Sequence, residues 1–406
     1  MRASSGVDVA SERAILFLVG AIQFVNILDF MMVMPLGPDF SASLGIPVSA
    51  IGQVGGAYTA SAAVSGLIGA FVLDRFDRRT ALAVAVLGLV IGTAAGGFAT
   101  GLGSLLTARV VAGFFGGPST SLALAIVSDV VPAERRGQAL GKVMGAFSVA
   151  SVLGVPAGLE LARLGGWRAP FFAVAALGLV IGVGAVWLLP PMRGHITRTM
   201  AHPPLSDLFA RPAVRWSYLL TACLMTSGFI LIPNFSAYIQ GNLDYPRSGL
   251  GVLYLVGGLF SFVGMRAIGR LVDRFGAVRV GVGASGVVIL ATAAIFFAYT
   301  PLIPVIVLFV AFMLGTSGRN VAYNTLVSKV PLAHERARFM SVQSAVQHLA
   351  ASVGAFLSAE LLVSNADGSL GGTDRIAWVS IVLAVLAPFV MHQVQTRLAA
   401  SKAAAA

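Results

Sequence analysis

Asp29, in NILDFMMVMPL, and Arg109, in LLTARVVAGF, stand inside long apolar runs. An ionised carboxylate in such a place costs about 2.5–3.5 kcal/mol or more unless it is paired, hydrated or protonated. Asp29 lies about seven residues, roughly 10 Å, from one end of its run, and Arg109 about six residues, roughly 9 Å, from the matching end of its own. The depths agree, so the two side chains are expected to form a pair. An acid that takes up a proton and loosens its arginine is a proton-coupling element. A static structural pair and an Asp29 that binds a cationic substrate are the other readings.

A second polar cluster, Arg319, Asn320 and Asn324 in GTSGRNVAYNTL, lies deep in a later run. Its i, i+1, i+5 spacing does not put all three on one helix face. Gln343, Gln347 and His348 in the next run are candidate partners, and His348 is a candidate titrating group. The alternatives are an arginine that snorkels to the surface and a histidine that only packs. There is no phosphate-binding Gly-Lys loop, and the five histidines are scattered with no ligand spacing to acids. No enzyme, metal or cofactor is expected.

The elements that hold these residues follow from composition. The 406 residues are 57% apolar without counting 47 glycines, and 11% charged, less than half of the usual share of about 25%. A soluble domain, a disordered chain and a disulfide scaffold are excluded, since Cys223 is the one cysteine. Alternation of the porin type is absent. A polytopic helical membrane protein is left. Spans of about 20 residues match a bilayer core of about 30 Å. Twelve are expected, at 14–36, 50–73, 80–100, 104–128, 139–163, 167–189, 214–239, 248–268, 278–299, 302–328, 339–363 and 376–395. The polar stretch 192–213 divides them into bundles at 1–191 and 214–406, and SNADGSLGGTDR (364–375) reads as a Gly/Asp loop. The polar N-terminus runs into its first span with no small-residue cleavage site, so that span is expected to stay uncleaved.

Net charge is +11. Of the 27 lysines and arginines, only Arg163, Arg168, Arg247 and Arg375 fall on one side of the map, Arg109 and Arg319 lie inside spans, and the other 21 share the side of the termini. The positive-inside bias then places both termini in the cytoplasm, and basic charge signals topology rather than nucleic-acid binding. An internal repeat points the same way. LDRFDRR around Asp74 recurs as VDRFGAVR around Asp273, 199 residues on, and Gly154 and Glu160 match Gly354 and Glu360, 200 residues on. Two six-helix halves in the same orientation are a transporter layout.

At these residues the chain resembles the major facilitator superfamily. The family's loop signature, G-x-L-x-D-R-x-G-R-[RK], is kept in Gly269-Arg-Leu271-Val-Asp273-Arg274-Phe-Gly276. The first copy, Ala70-Phe-Val72-Leu-Asp74-Arg75-Phe-Asp77-Arg78-Arg79, has Ala and Asp where the family has Gly. Arg109, Gly113 and Gly117 resemble the family's R-x-x-x-G pattern. Gly154-Val155-Pro156-Ala157-Gly158 with Gly166-Trp167-Arg168 resembles the fifth helix of the drug- and sugar-efflux branch, arabinose-efflux permeases included.

The resemblance implies two six-helix bundles, alternating access and a central cavity. It sets the first and fourth spans side by side, which would bring Asp29 to Arg109. It implies a cytoplasmic gate from Asp74, Arg75, Arg78, Asp129, Asp273, Arg274 and Gly276, with Arg78 reaching Asp129. It places the Gly154, Pro156 and Gly158 segment against Gly257, Gly258 and Gly264, although ordinary close packing explains those small residues equally. The cavity is expected to include Gln23, Asn26, Tyr58, Asn234 and Tyr238, with Arg319, Asn320, Asn324, Gln347 and His348. Glu160 and Glu360 read as a possible outer gate or as solvated interfacial charges. The expected function is a proton-coupled antiporter, monomeric, in the bacterial inner membrane, exporting small organic molecules. A symporter or facilitator importing a sugar or organic acid is the alternative, and a non-transporting sensor a more distant one.

Overall fold

The computed structural model describes residues 9–193, 205–332 and 335–403, with side chains except at 9–11, 70, 71, 74, 133, 134, 205, 206, 337 and 401–403. Its elements are almost all helical. In order they are α1 (Val9–Val33), α2 (Gly37–Leu44), α3 (Ile51–Val72), α4 (Arg78–Gly97), α5 (Leu102–Val130), α6 (Ala133–Met144), α7 (Ala146–Val149), α8 (Val155–Gly165) and α9 (Arg168–Leu188). There follow α10 (Leu205–Ala210), α11 (Pro212–Phe229), α12 (Ile232–Gly241), α13 (Leu250–Phe275), α14 (Ala277–Phe296), α15 (Val305–Val327), α16 (Arg336–Leu361) and α17 (Thr373–Ala403).

Among the described residues, ten helical segments are long and apolar enough to cross a membrane. Helices α3 and α16, with 22 and 26 residues, are not among them but have spanning length, roughly 33 and 39 Å. Arg336, Arg338, Gln343, Gln347 and His348 make α16 less apolar, whereas α3 is as apolar as the counted spans.

Three expected spans are interrupted, each for a local reason. The fifth runs through α6 and α7 into a π-helical stretch, Ala150–Gly154, before α8. Pro156, near the start of α8, cannot donate to the preceding turn, so the helix widens there instead of continuing regularly. The seventh breaks between α11 and α12, just ahead of Pro233. The first continues past α1 through a 3-10 turn, Met34–Leu36, into α2. The expected loop 364–375 also carries regular structure. Strands β1 (Val363–Ser364) and β2 (Leu370–Gly371) pair antiparallel, Val363 with Gly371. The Asn242 amide extends that ladder, donating to Leu370 O and accepting from Leu370 N, both at 2.9 Å.

The chain folds as two compact units. The first comprises residues 1–36 and 57–200, the second 37–56 and 201–406. In the first, α4 packs on α5 and α9, and α1 lies against α5 and α9. Its core joins Ile15, Val19 and Ile22 of α1 to Leu82 and Val86 of α4 and to Leu122 and Ile126 of α5. In the second, α11 lies on α16 and α17, and α15 on α13 and α14. Phe339, Leu220, Ala322 and Val394 are among the most buried members of its core.

One segment departs from the division at 192–213. Residues 37–56 precede that boundary but pack with the second unit. Gly52 makes this possible, since a Cβ there would stand 2.2 Å from Ala355 O of α16. Ser352 Oγ donates to Gly56 O at 3.1 Å, and Ser49 N to Ser364 Oγ at 2.9 Å.

Candidate functional site

The polar centre of the first unit is built on α1, α3, α4 and α5. Asp29 is 0% exposed and Arg109 1%. The guanidinium grips the carboxylate with two parallel bonds, Nη1 to Oδ1 at 3.0 Å and Nη2 to Oδ2 at 2.9 Å. Such fork-to-fork pairs are the strong, geometrically fixed kind. Nη2 also lies 3.4 Å from Asp29 O. The Thr93 hydroxyl, on α4, stands 2.8 Å from both Asp29 Oδ1 and Leu89 O.

Arg109 also lies over the Tyr58 ring, 4.7 Å from its centroid. A desolvated cation over an aromatic face is stabilised by about 2 kcal/mol. Tyr58 OH donates to Asn26 Oδ1 at 2.8 Å. The Asn26 amide donates in turn to Thr120 Oγ1 at 2.8 Å and Gly116 O at 3.1 Å. One buried network therefore runs from Thr93 through Asp29, Arg109, Tyr58 and Asn26 to Thr120. Gly113 and Gly116 make room for it. A Cβ on Gly113 would meet Tyr58 O at 2.2 Å, and one on Gly116 would meet the Tyr58 hydroxyl at 2.2 Å. Gln23 is buried nearby in sequence, with Oε1 unbonded.

The structure thus brings Asp29, Arg109, Tyr58 and Asn26 together. Thr93 and Thr120 are members that the sequence does not announce. Their signal is faint: Thr93 is a lone threonine in an apolar run and Thr120 one hydroxyl among the serines of Pro118-Ser119-Thr120-Ser121.

In the second unit the expected cluster is dispersed. Arg319, 3% exposed, donates from Nη1 to Ser227 Oγ of α11 at 3.2 Å and hydrogen-bonds neither Gln347 nor His348. Gln343 turns instead to Thr221 of α11 and to the Tyr323 hydroxyl. Asn320 and His348 are half-buried, and Asn324 and Gln347 exposed. Asn234 donates to Ser358 Oγ at 2.8 Å. Tyr238 packs inward, its hydroxyl on Ile295 O at 2.8 Å and its ring stacked on Phe296. The reason is helical rotation. Residue spacing gives depth, but the face that α15 turns toward α11 is fixed by the packing of its apolar neighbours.

Of the expected gate set, one ion pair is observed among the described residues, at the start of α4. Arg78 Nε lies 3.4 Å from Asp129 Oδ2. Arg75 is exposed, and the Asp74 side chain lies outside the described residues. Asp77, which stands where the family signature has Gly, is the N-cap of α4. It accepts from Arg79 N at 2.9 Å and Thr80 N at 3.3 Å, and also from Met192 N at 3.1 Å and Arg193 Nε at 3.3 Å. Burial pushes its pKa up, but these four donors outweigh burial and leave it below its ordinary 3.8. In the second copy Asp273 and Arg274 are exposed, Arg274 lies 5.3 Å from the Phe275 ring centroid, and Gly276 ends α13 at φ +86°.

Glu160 is held by Arg163 of its own helix at 2.7 Å, an exposed i,i+3 pair, and Glu360 is exposed. Sequence reasoning passed over a different ion pair, Arg247 to Asp39 at 3.0 Å, both in the second unit. Gly154 serves close approach within the first unit, since a Cβ there would stand 2.7 Å from Leu28 Cδ1 of α1, while Gly158 has room, with Met32 at 3.7 Å. Gly257 and Gly264 do the same within the second unit, against Phe309 and Leu314 of α15. Among the described residues no group of acids, histidines and cysteines could hold a metal ion.

Comparison with known proteins fits this architecture. The family model described as Major Facilitator Superfamily matches residues 19–355. The chain is 29% identical over 248 residues, 61% of its length, to a chloramphenicol resistance protein of Streptomyces lividans. It is 24% identical over 258 residues, 64% of its length, to the MFS-type transporter YtbD of Bacillus subtilis. The matched region covers 63% of each of these relatives. In fold it is similar to the D-xylose-proton symporter, with a TM-score of 0.76, 15% identity, and 93% of this chain and 97% of that one covered. It is likewise similar to a bacterial homologue of the lysosomal transporter Spinster, with a TM-score of 0.74, 17% identity, and 96% and 98% covered. The family model matches most of the chain, and this protein belongs to the major facilitator superfamily.

Proposed function

We propose that this transporter is a proton-coupled antiporter that exports small organic molecules, working by alternating access in a bacterial inner membrane with both termini cytoplasmic. The observation that carries the coupling is the buried Asp29–Arg109 pair. A proton delivered to Asp29 removes its negative charge. Arg109 then loses its main electrostatic partner and keeps only the Tyr58 ring and weak dipoles. Tyr58 and Asn26 are bonded in series to Arg109, so loosening the pair releases a network that ties α3 to α5 and α1. That is a charge change at one atom acting on a packed element, the general form of a switch.

Export is supported by the chloramphenicol resistance relative and by the likeness of the Gly154–Gly158 segment to efflux permeases. Arg78 and Asp129 are assigned to a gate on the cytoplasmic side, with Asp77 fastening the start of α4 beside them.

The test is flux in proteoliposomes loaded with a panel of drugs and sugars, with and without an imposed proton gradient, for wild type and D29N. The wild type should drive export against a substrate gradient only under the proton force, and D29N should keep exchange but lose uphill transport. Coupled uptake would reverse the direction and retain Asp29 as carrier. Flux indifferent to the gradient, or normal coupling in D29N, would make Asp29 structural.

A further inference from the structure

Arg319 is buried in α15 of the second unit, and its head group is largely unsatisfied. Nη1 donates to Ser227 Oγ at 3.2 Å, Nε donates to nothing, and no ion pair to Arg319 exists among the described residues. Ser227 is itself engaged, its hydroxyl lying 3.1 Å from Ser380 O while Ser380 Oγ donates to Ser227 O at 2.8 Å. A guanidinium stays charged in proteins and offers five donors in a planar fork. Snorkelling would leave that fork in view of solvent, and the residue is 3% exposed.

The first unit shows what such a group needs. Arg109 is equally buried and has a carboxylate from α1 on its fork. The repeat offset of 199 residues carries Asp29 to Gly228, next to Ser227, and Arg109 to Leu308, so Arg319 is an arginine of the second unit alone. The second unit therefore offers a hydroxyl beside its arginine and no acid. A buried cation without a counterion is costly.

We infer that Arg319 is the anion-binding residue of the transported molecule, and that this molecule carries a carboxylate. The inference rests on the transport reading above and narrows its substrate class. The carboxylate docks on the unbonded part of the fork, and the charge of the cargo and that of Arg319 cancel inside the membrane. Ser227, itself bonded to Ser380, holds the fork's other edge.

The test uses the purified full-length protein and matched probes: benzoate with benzamide, lactate with lactamide, gluconate with glucose. Melting temperature and proteoliposome uptake are both read. At least one carboxylate should bind, and its neutral counterpart should bind roughly 10–100-fold more weakly, the range of a charge-assisted hydrogen bond. R319M should abolish that difference, and without ligand should melt at or above wild type, because an uncompensated charge is gone. R319K should keep a weakened acid preference. S227D, which places a carboxylate beside Nη1, should melt higher and exclude the acid probes.

The inference is overturned by equal binding of acids and neutral counterparts, by an acid preference that survives R319M, by a ligand-free R319M that melts well below wild type, or by no binding by any probe. Proton-driven movement of a neutral compound alone sinks it and leaves the transport reading intact. Acid binding lost in R319M, with no proton-driven flux, does the reverse.

Discussion

Arg109 and Arg319 are the two arginines deep inside the spans, and the two units treat them oppositely. Arg109 is gripped by Asp29, covered by Tyr58 and tied through Asn26 to α5. Arg319 has one serine. The chain repeats its backbone plan but not its charge balance. A charge paired internally serves as a switch that a proton can throw. A charge left unpaired serves as a receptor for a group that comes from outside.

The largest effect should come from breaking the first arrangement. D29N leaves Arg109 buried without its counterion, and R109Q leaves Asp29 likewise. Each should cost about 3–5 kcal/mol in thermal or denaturant unfolding of the solubilised protein. The double variant D29N/R109Q should recover a large part of that loss, because no isolated charge remains. A double variant as unstable as the sum of the singles would mean that the fork geometry, not the charge, holds α1 to α5. Set beside R319M, which should not lose stability, the pair of results measures the asymmetry directly.

The second effect sharpens why the first unit can hold its network. G113A puts a methyl 2.2 Å from a backbone oxygen of α3, where no side chain can swing aside. Overpacking of this kind costs about 1–3 kcal/mol, here at the upper end. Its readout is a lower melting temperature with a weakened response of stability to D29N, since Tyr58 would be pushed off Arg109.

How much of this was legible from sequence depends on what each feature requires. Asp29 and Arg109 could be matched because charged residues are rare in apolar runs, and a depth count within one turn suffices to pair them. Arg319 shows the limit of the same method. Its depth was readable, but its partner was expected in Gln343, Gln347 or His348, and α15 turns it to α11 instead. Thr93 and Thr120 were silent because a threonine in an apolar helix can bond its own preceding carbonyl, as Thr93 also does with Leu89 O, so its presence says nothing about a second contact. The π-helical stretch before Pro156 follows from a proline that was visible, but the sequence does not say whether the helix bends, breaks or widens there.

The two loop copies offer a finer comparison. Asp77 and Gly276 occupy the same place in the repeat, 199 residues apart, and solve the start of the next helix differently. Gly276 does it by backbone shape, at φ +86° and ψ 153°, a region that suits glycine. G276A should cost about 1–3 kcal/mol, less than G113A because this exposed corner can shift. G276D should not reproduce the Asp77 cap, since the side chain would start from a strained backbone.

Asp77 does it by chemistry, at φ −56°, with its carboxylate on Arg79 N and Thr80 N and on the Met192–Arg193 segment that follows α9. D77A should cost about 0.5–2 kcal/mol, the usual worth of an N-cap. This effect has a pH signature that G276A lacks. Asp77 is held below 3.8, so its native state binds its proton less readily than the unfolded chain does. Its stabilisation is complete above the ordinary carboxyl range and fades as pH falls through the lowered native value. Wild type and D77A should therefore differ fully near pH 7 and begin to converge only below the ordinary carboxyl value, as pH falls through the lowered native one, whereas the gap between wild type and G276A should stay constant across the same titration. A D77A gap that persists into acid would mean that the cap works through shape in this loop as well, and that the two copies differ less than their residues suggest.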